Sequence, residues 1–122
     1  MKKAVILATA TALMLAGVAI SEATAGAESK CKTCHTFDKD GKNRMGPNLF
    51  GIVGKKAGSV EDYRYGTYLK ESDFTWNEEN LKAWIEDSKT VAKAAGKITK
   101  MPSQHVADAR ADEIIAFLKT AK

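Results

Sequence analysis

The chain has 122 residues, with 19 Lys+Arg against 15 Asp+Glu, a net charge of +4, and 44% hydrophobic but only 7% aromatic residues. One domain fits that length and two do not, and the composition excludes a disordered tail, a collagen-like repeat and a polytopic membrane protein. Acids and bases are interspersed from Lys30 to Lys122 with no basic block, so no nucleic acid is expected as a partner; Cys31 and Cys34 alone cannot build a multi-disulfide scaffold.

Lys2 and Lys3 open the chain and are followed by an uncharged stretch from Ala4 to Ile20. A positive start, an apolar run and then small residues make the layout of a secretory signal peptide, read here over residues 1–25. The run falls short of the ~20 residues that span a bilayer, but not by much, so a retained N-terminal anchor is the alternative. Small residues place cleavage after Ala19 or after Ala25, and the working domain therefore runs over 26–122 or begins at 20. Removing residues 1–19 takes away Lys2 and Lys3 and lowers the net charge from +4 to +2. The expected location is the periplasm, with a membrane tether if the leader is kept. A domain of about 100 residues buries a thin core by itself and gains from a cofactor that serves as core.

Cys31-Lys32-Thr33-Cys34-His35 is C-x-x-C-H, the attachment signature for c-type haem. On a helical turn the two cysteines project three residues apart along one face, matching the two vinyl groups at a haem edge. Two thioether bonds then fix the porphyrin, and His35 is positioned to bring an imidazole nitrogen to the iron. One haem c, attached through Cys31 and Cys34, is the expected cofactor. Disulfide chemistry would suit the same C-x-x-C in a strand-rich α/β pattern, which is missing here. Zinc would need Cys31, Cys34, His35 and His105 together, and the adjacent Cys34 and His35 are an awkward pair for one tetrahedral ion.

Between Phe37 and Gly58 five glycines and Pro47 predict an extended loop. Ser59-Val60-Glu61-Asp62 reads as the start of a short helix. Thr75-Trp76-Asn77-Glu78 fits a capping box, with Leu81, Trp84, Ile85 and Ser88 sharing one face of the helix behind it. A last helix, Val106 to Lys119, sets Ala107, Ala111, Ile114, Ile115 and Leu118 on one side, with Phe117 flanking it. The prediction is one small all-α domain with a long irregular segment.

Haem iron has two axial positions, and the second decides what the iron can do. Met45, Met101 and His105 are the candidates. Met101 lies between two predicted helices and before Pro102, so its loop can wrap the far haem face, whereas Met45 is only ten residues past His35. His105 would give a bis-His iron of lower potential, because a thioether stabilises the ferrous state better than an imidazole does. An open position would suit a haem enzyme or a gas-binding protein.

The chain resembles class I cytochrome c, the soluble bacterial and mitochondrial-type carriers, from Cys31 to about Lys119. The resemblance rests on Cys31 to Phe37, on Gly46-Pro47-Asn48-Leu49-Phe50-Gly51, on Tyr65 and Trp76, on Thr99-Lys100-Met101, and on Arg110-Ala111-Asp112 ahead of Ile115-Ala116-Phe117-Leu118. It implies a small fold of helices packed around one covalent haem, His35 and Met101 as the axial pair, and a Pro47 carbonyl that accepts the proton of the histidine's other nitrogen. It also implies that Tyr65 and Trp76 hydrogen-bond a haem propionate, and that Trp84 lines the methionine side of the pocket where many relatives have tyrosine. The family's N-terminal helix usually carries an aromatic ahead of the first cysteine; none stands between Ser21 and Lys30. The implied function is a periplasmic one-electron carrier, a monomer and not an enzyme, that meets membrane redox complexes or periplasmic reductases transiently. Lys30, Lys32, Lys97 and Lys100 flank the haem motifs and are candidates for steering acidic partners.

Overall fold

The computed structural model describes residues 26–122; the expected leader, with both cleavage points, lies outside the described residues. Among the described residues no helix is long and apolar enough to cross a membrane. Among the described residues four helices follow one another: α1 (Ser29–Lys32), α2 (Thr67–Lys70), α3 (Glu78–Ala94) and α4 (Asp108–Thr120). The only strand-like pairing described is an isolated antiparallel bridge between Lys56 and Thr75. The domain is all-α, and the stretch from Phe37 to Gly58 is irregular as its glycines predict.

The capping box sits two residues later than the sequence suggested. Asn77 Oδ1 accepts the Asn80 N–H and Asn80 Oδ1 accepts the Asn77 N–H, both at 2.8 Å. Asparagine caps as well as serine does, and the bridge explains why Thr75 cannot serve. Trp76 N–H donates to Lys55 O at 2.9 Å and Gly54 N–H to Trp76 O at 2.8 Å, so Thr75 and Trp76 are held extended. The short helix expected from Ser59 is also displaced, to α2. Asp62 adopts φ +60, which breaks a right-handed helix, and Val60 N–H is taken by the Tyr65 hydroxyl at 3.0 Å.

α3 and α4 pack against each other and carry most of the core: Leu81, Trp84 and Ile85 from α3 meet Ala111, Ile114, Ile115 and Leu118 from α4. Lys82 pairs with Asp112 at 2.7 Å and Lys119 with Glu78, so the start of one helix lies by the end of the other. These exposed ion pairs orient the helices but add little stability. A four-residue helix such as α1 has no stability of its own. It is held because Ala27, 2% exposed, joins the same core. The aromatic contact on α4 comes from behind the cysteine motif, where Phe37 meets Phe117 edge-on at 5.0 Å.

α3 is not continuous. Asp87 has φ −154 and ψ 72, and its carboxylate restarts the helix by accepting the Thr90 N–H at 3.2 Å. The turns on either side of this kink face the segment that carries Met101.

Replacing Ile114, 1% exposed, with alanine should cost about 2–5 kcal/mol. Replacing Ile98, 67% exposed, should change stability by no more than about 0.5 kcal/mol. Denaturant unfolding of the haem-bearing protein checks both.

Candidate functional site

α1 sets out the cysteine motif by local hydrogen bonding alone. Cys34 N–H and His35 N–H both donate to Cys31 O, at 3.1 and 2.9 Å, which closes one turn and carries the histidine past the second cysteine. That turn is then latched to the loop below it. Gly46 N–H donates to Cys34 O at 2.9 Å, and the Arg44 guanidinium reaches Lys32 O at 2.9 Å.

The imidazole of His35 is fixed by two neighbours. Its Nδ1 lies 2.7 Å from the Pro47 carbonyl oxygen, which can only accept, so Nδ1 carries the proton and Nε2 keeps a free lone pair. Gly46 lies directly against the ring: any Cβ there would overlap Cε1, Nδ1 and Nε2. Burial pushes the His35 pKa below its ordinary value, against the opposing effect of the Pro47 hydrogen bond, and nearby Arg44 lowers it further. The ring is neutral at pH 7, as a metal ligand must be.

Beside the histidine the protein has a cleft in two parts. The outer part, of about 260 Å³, is bordered by Cys31, Cys34, His35, Met101 and the rim residues Lys30 and Lys100. The inner part, of about 60 Å³, reaches the core between Leu49, Ile52, Leu81, Ile85, Ile114 and Leu118, and is also lined by Pro47, Tyr65, Trp76 and Trp84. Cys31, His35 and Met101 border both parts, which makes them one cleft. All eight residues singled out in the sequence therefore converge here, although His35 and Met101 are far apart along the chain.

His105 does not. It borders neither part, is exposed, and donates its backbone N–H to Glu86 O at 2.8 Å on the kinked stretch of α3. This separation removes the fourth zinc ligand and the bis-His iron at a stroke. Among the described residues no group of three or more His, Cys, Asp or Glu is gathered to hold a metal ion. Met45 is at the outer mouth, 79% exposed.

Cys31 and Cys34 are not joined to each other by a disulfide. Burial pushes the Cys31 pKa up, and the charge of Glu28 adds to this. A redox-active C-x-x-C needs a cysteine pKa lowered toward neutrality, so the environment of Cys31 argues against thiol–disulfide exchange. It suits a planar apolar ligand carrying its own metal: two thiols at the entrance, a neutral imidazole, a thioether, and a wall of aliphatic and aromatic side chains. Trp76 is 5% exposed, and its indole N–H meets no acceptor among the described residues. The Tyr65 hydroxyl accepts from Val60 and has a proton left to give. Two donors in an apolar cleft fit an anionic group at the edge of such a ligand.

Three features were not read from the sequence. Gly46 belongs to a short sequence motif, and its contact with the ring is a matter of tertiary distance. Tyr63 borders the outer cleft and donates its hydroxyl to Met45 O at 2.7 Å. It stands in an irregular stretch that gives no periodic signal. The four lysines that flank the motifs also separate, and only Lys30 and Lys100 border the outer cleft. Lys97 is paired with Glu71 at 2.6 Å and Lys32 faces Glu28 at 4.0 Å, whereas among the described residues Lys30 reaches the Gln104 carbonyl and Lys100 the Arg64 carbonyl, with its Nζ 5.9 Å from the Tyr63 ring centroid.

A comparison with protein-family models gives no match. Individual relatives are clear. Cytochrome c2 of Rhodospirillum rubrum is 38% identical over 117 residues, covering 87% of each chain. Cytochrome c-550 of Nitrobacter winogradskyi is 44% identical over 80 residues, 66% of this chain and 70% of that one. Among solved structures, cytochrome cH from Methylobacterium extorquens superposes with a TM-score of 0.62 at 37% identity, covering 81% of this chain and 96% of its own. Ferricytochrome c2 from Rhodopseudomonas palustris does so with a TM-score of 0.67 at 29% identity, covering 83% and 97%. Sequence, fold and cleft thus lead to one conclusion: the chain belongs to the class I c-type cytochromes, one-electron carriers built around a single covalent haem c.

Proposed function

We propose that this chain is a periplasmic electron carrier whose haem is joined to Cys31 and Cys34 and held axially by His35 and Met101. The observation that carries this reading is the shared border of the cleft. A neutral imidazole with its Nε2 lone pair free and a methionine from the far end of the chain line one apolar space beside the two cysteines. When bound, haem c supplies the one-electron exchange at its iron, and a thioether ligand with apolar burial favours the ferrous form.

The protein's own residues prepare that exchange. Pro47 holds the imidazole by its Nδ1 proton, which orients the ring and raises the basicity of Nε2. Gly46 leaves room for the ring to stay there. Tyr65 and Trp76 would donate to a propionate of the bound haem, and Trp84, stacked on Tyr68 at 5.5 Å and 14°, lines the same wall as Met101. An indole replaces the phenol that would otherwise face the methionine sulfur, so the sulfur lacks that hydrogen bond. With His35 and Met101 as its ligands the iron would offer a substrate no vacant place, which favours a carrier over an enzyme or gas-binding protein.

Partners approach the rim. Among the described residues no carboxylate pairs with Lys30 or Lys100 beside the outer cleft, and the two can steer an acidic redox protein. Encounters of this kind are small and transient, so the carrier works as a monomer. Residues 1–25 serve as the export leader; cleavage after Ala25 retains Gly26 and the buried Ala27, and cleavage after Ala19 retains both with a longer approach.

The ferric protein should show the weak near-infrared sulfur-to-iron band. Met101→Leu should abolish it and let ferrous protein bind carbon monoxide readily. The same substitution should lower the midpoint potential by a sizeable part of the ~0.8 V that axial ligands span. High-spin iron in the parent protein would overturn the axial assignment in favour of an open site. N-terminal sequencing of exported protein should begin at Ile20 or Gly26, and an intact Met1 would mark a tether. Exchanging Lys30 and Lys100 for glutamate should slow bimolecular electron transfer to an acidic partner by about tenfold or more at low salt, and the difference should shrink as ionic strength rises.

A further inference from the structure

The stretch from Thr99 to Gln104, which carries Met101, neither gives nor takes a main-chain to main-chain hydrogen bond among the described residues. Its polar attachment depends on side chains, and most of these come from the kink in α3. The Ser103 hydroxyl donates to Asp87 Oδ1 at 2.6 Å and accepts the Lys89 N–H at 3.1 Å. The fully buried Ser88 hydroxyl donates to Met101 O at 2.8 Å, and Lys89 Nζ donates to Thr99 O at 2.7 Å. Asp87 itself is fixed from behind, because Oδ2 accepts the Thr90 hydroxyl at 2.8 Å while Oδ1 caps Thr90 N–H.

We infer that Asp87 and Ser103 form a clip that presets Met101 in the cleft, so that the kink in α3 exists to position the methionine. This rests on Met101 being an axial ligand. Without a backbone ladder the loop is held by side-chain ties, and the Asp87 carboxylate makes the Ser103 bond stronger than a neutral one. The kink makes the tie available, because Asp87 leaves helical geometry and Lys89 N–H turns to Ser103 Oγ. Asp87 and Ser103 are positioning residues; neither borders the cleft with Met101.

The test uses the haem-bearing protein and two readouts, the near-infrared band in the ferric form and the carbon monoxide affinity of the ferrous form, which measures how easily the methionine is displaced. Ser103→Ala and Asp87→Ala should each raise carbon monoxide affinity by about tenfold, the loss of one charge-assisted hydrogen bond. Ser103→Thr keeps the hydroxyl and should restore the parent affinity. A parent protein that shows the band while Ser103→Ala and Asp87→Ala bind carbon monoxide as it does would overturn the clip and leave the axial assignment standing. A parent without the band would overturn the axial assignment and the clip together. If Asp87→Ala does not fold, Ser103→Ala against Ser103→Thr decides.

Discussion

The hydrogen bond between the His35 ring and the Pro47 carbonyl constrains more of this molecule than any other single contact. It requires the chain to turn back twelve residues after the histidine, and the glycine at 46 is the cost of bringing that loop against an aromatic ring. It sets which nitrogen is protonated and which is free, and burial keeps the ring neutral so that this choice matters. The latch from Gly46 N–H to Cys34 O then ties both cysteines to the same loop, so the thiols and the imidazole move as one unit.

The two sides of the cleft are made in different ways. The histidine side is local, built from a helical turn, a proline and a glycine within a dozen residues. The methionine side depends on contacts between distant segments, and they are side-chain contacts. Ser88, Lys89 and Asp87 hold Thr99 to Ser103 where a backbone ladder is missing. Local structure of the first kind is as stable as its turn, whereas a loop pinned by a few side chains opens at lower free energy than the core it lies on. Such an arrangement suits a carrier in which one ligand comes from the covalent attachment motif and the other closes over it.

The core explains why the cofactor is more than a passenger. Its largest members, Trp76 and Trp84, border the cleft and are not packed on one another alone, and Leu81, Ile85, Ile114 and Leu118 face the same space. A chain of this size buries a modest area, and a large apolar ligand in that space completes burial that the side chains leave unfinished. The charged rim follows the same division of labour. Lys32 and Lys97 are occupied with carboxylates of the fold, and Lys30 and Lys100 are left facing outward beside the opening.

The amino-acid sequence by itself determined the attachment chemistry, the helical class and the apolar faces of the last two helices. Each of these is written in spacing: two residues between Cys31 and Cys34, and helical periodicity from Leu81 to Ser88 and from Ala111 to Leu118. Its resemblance to class I cytochrome c carried Pro47, Tyr65, Trp76 and Trp84 as well. It misplaced the cap from Asn77 to Thr75 and a short helix from Thr67 to Ser59, because a single bridge to Lys56 and a left-handed Asp62 are not coded in local propensity. Only the tertiary structure decided that His105 stands away from the cleft, that Asp87 breaks α3, and that Ser103 meets it. Those outcomes hinge on distances between segments far apart in the chain, and no periodicity or short motif records a distance of that kind.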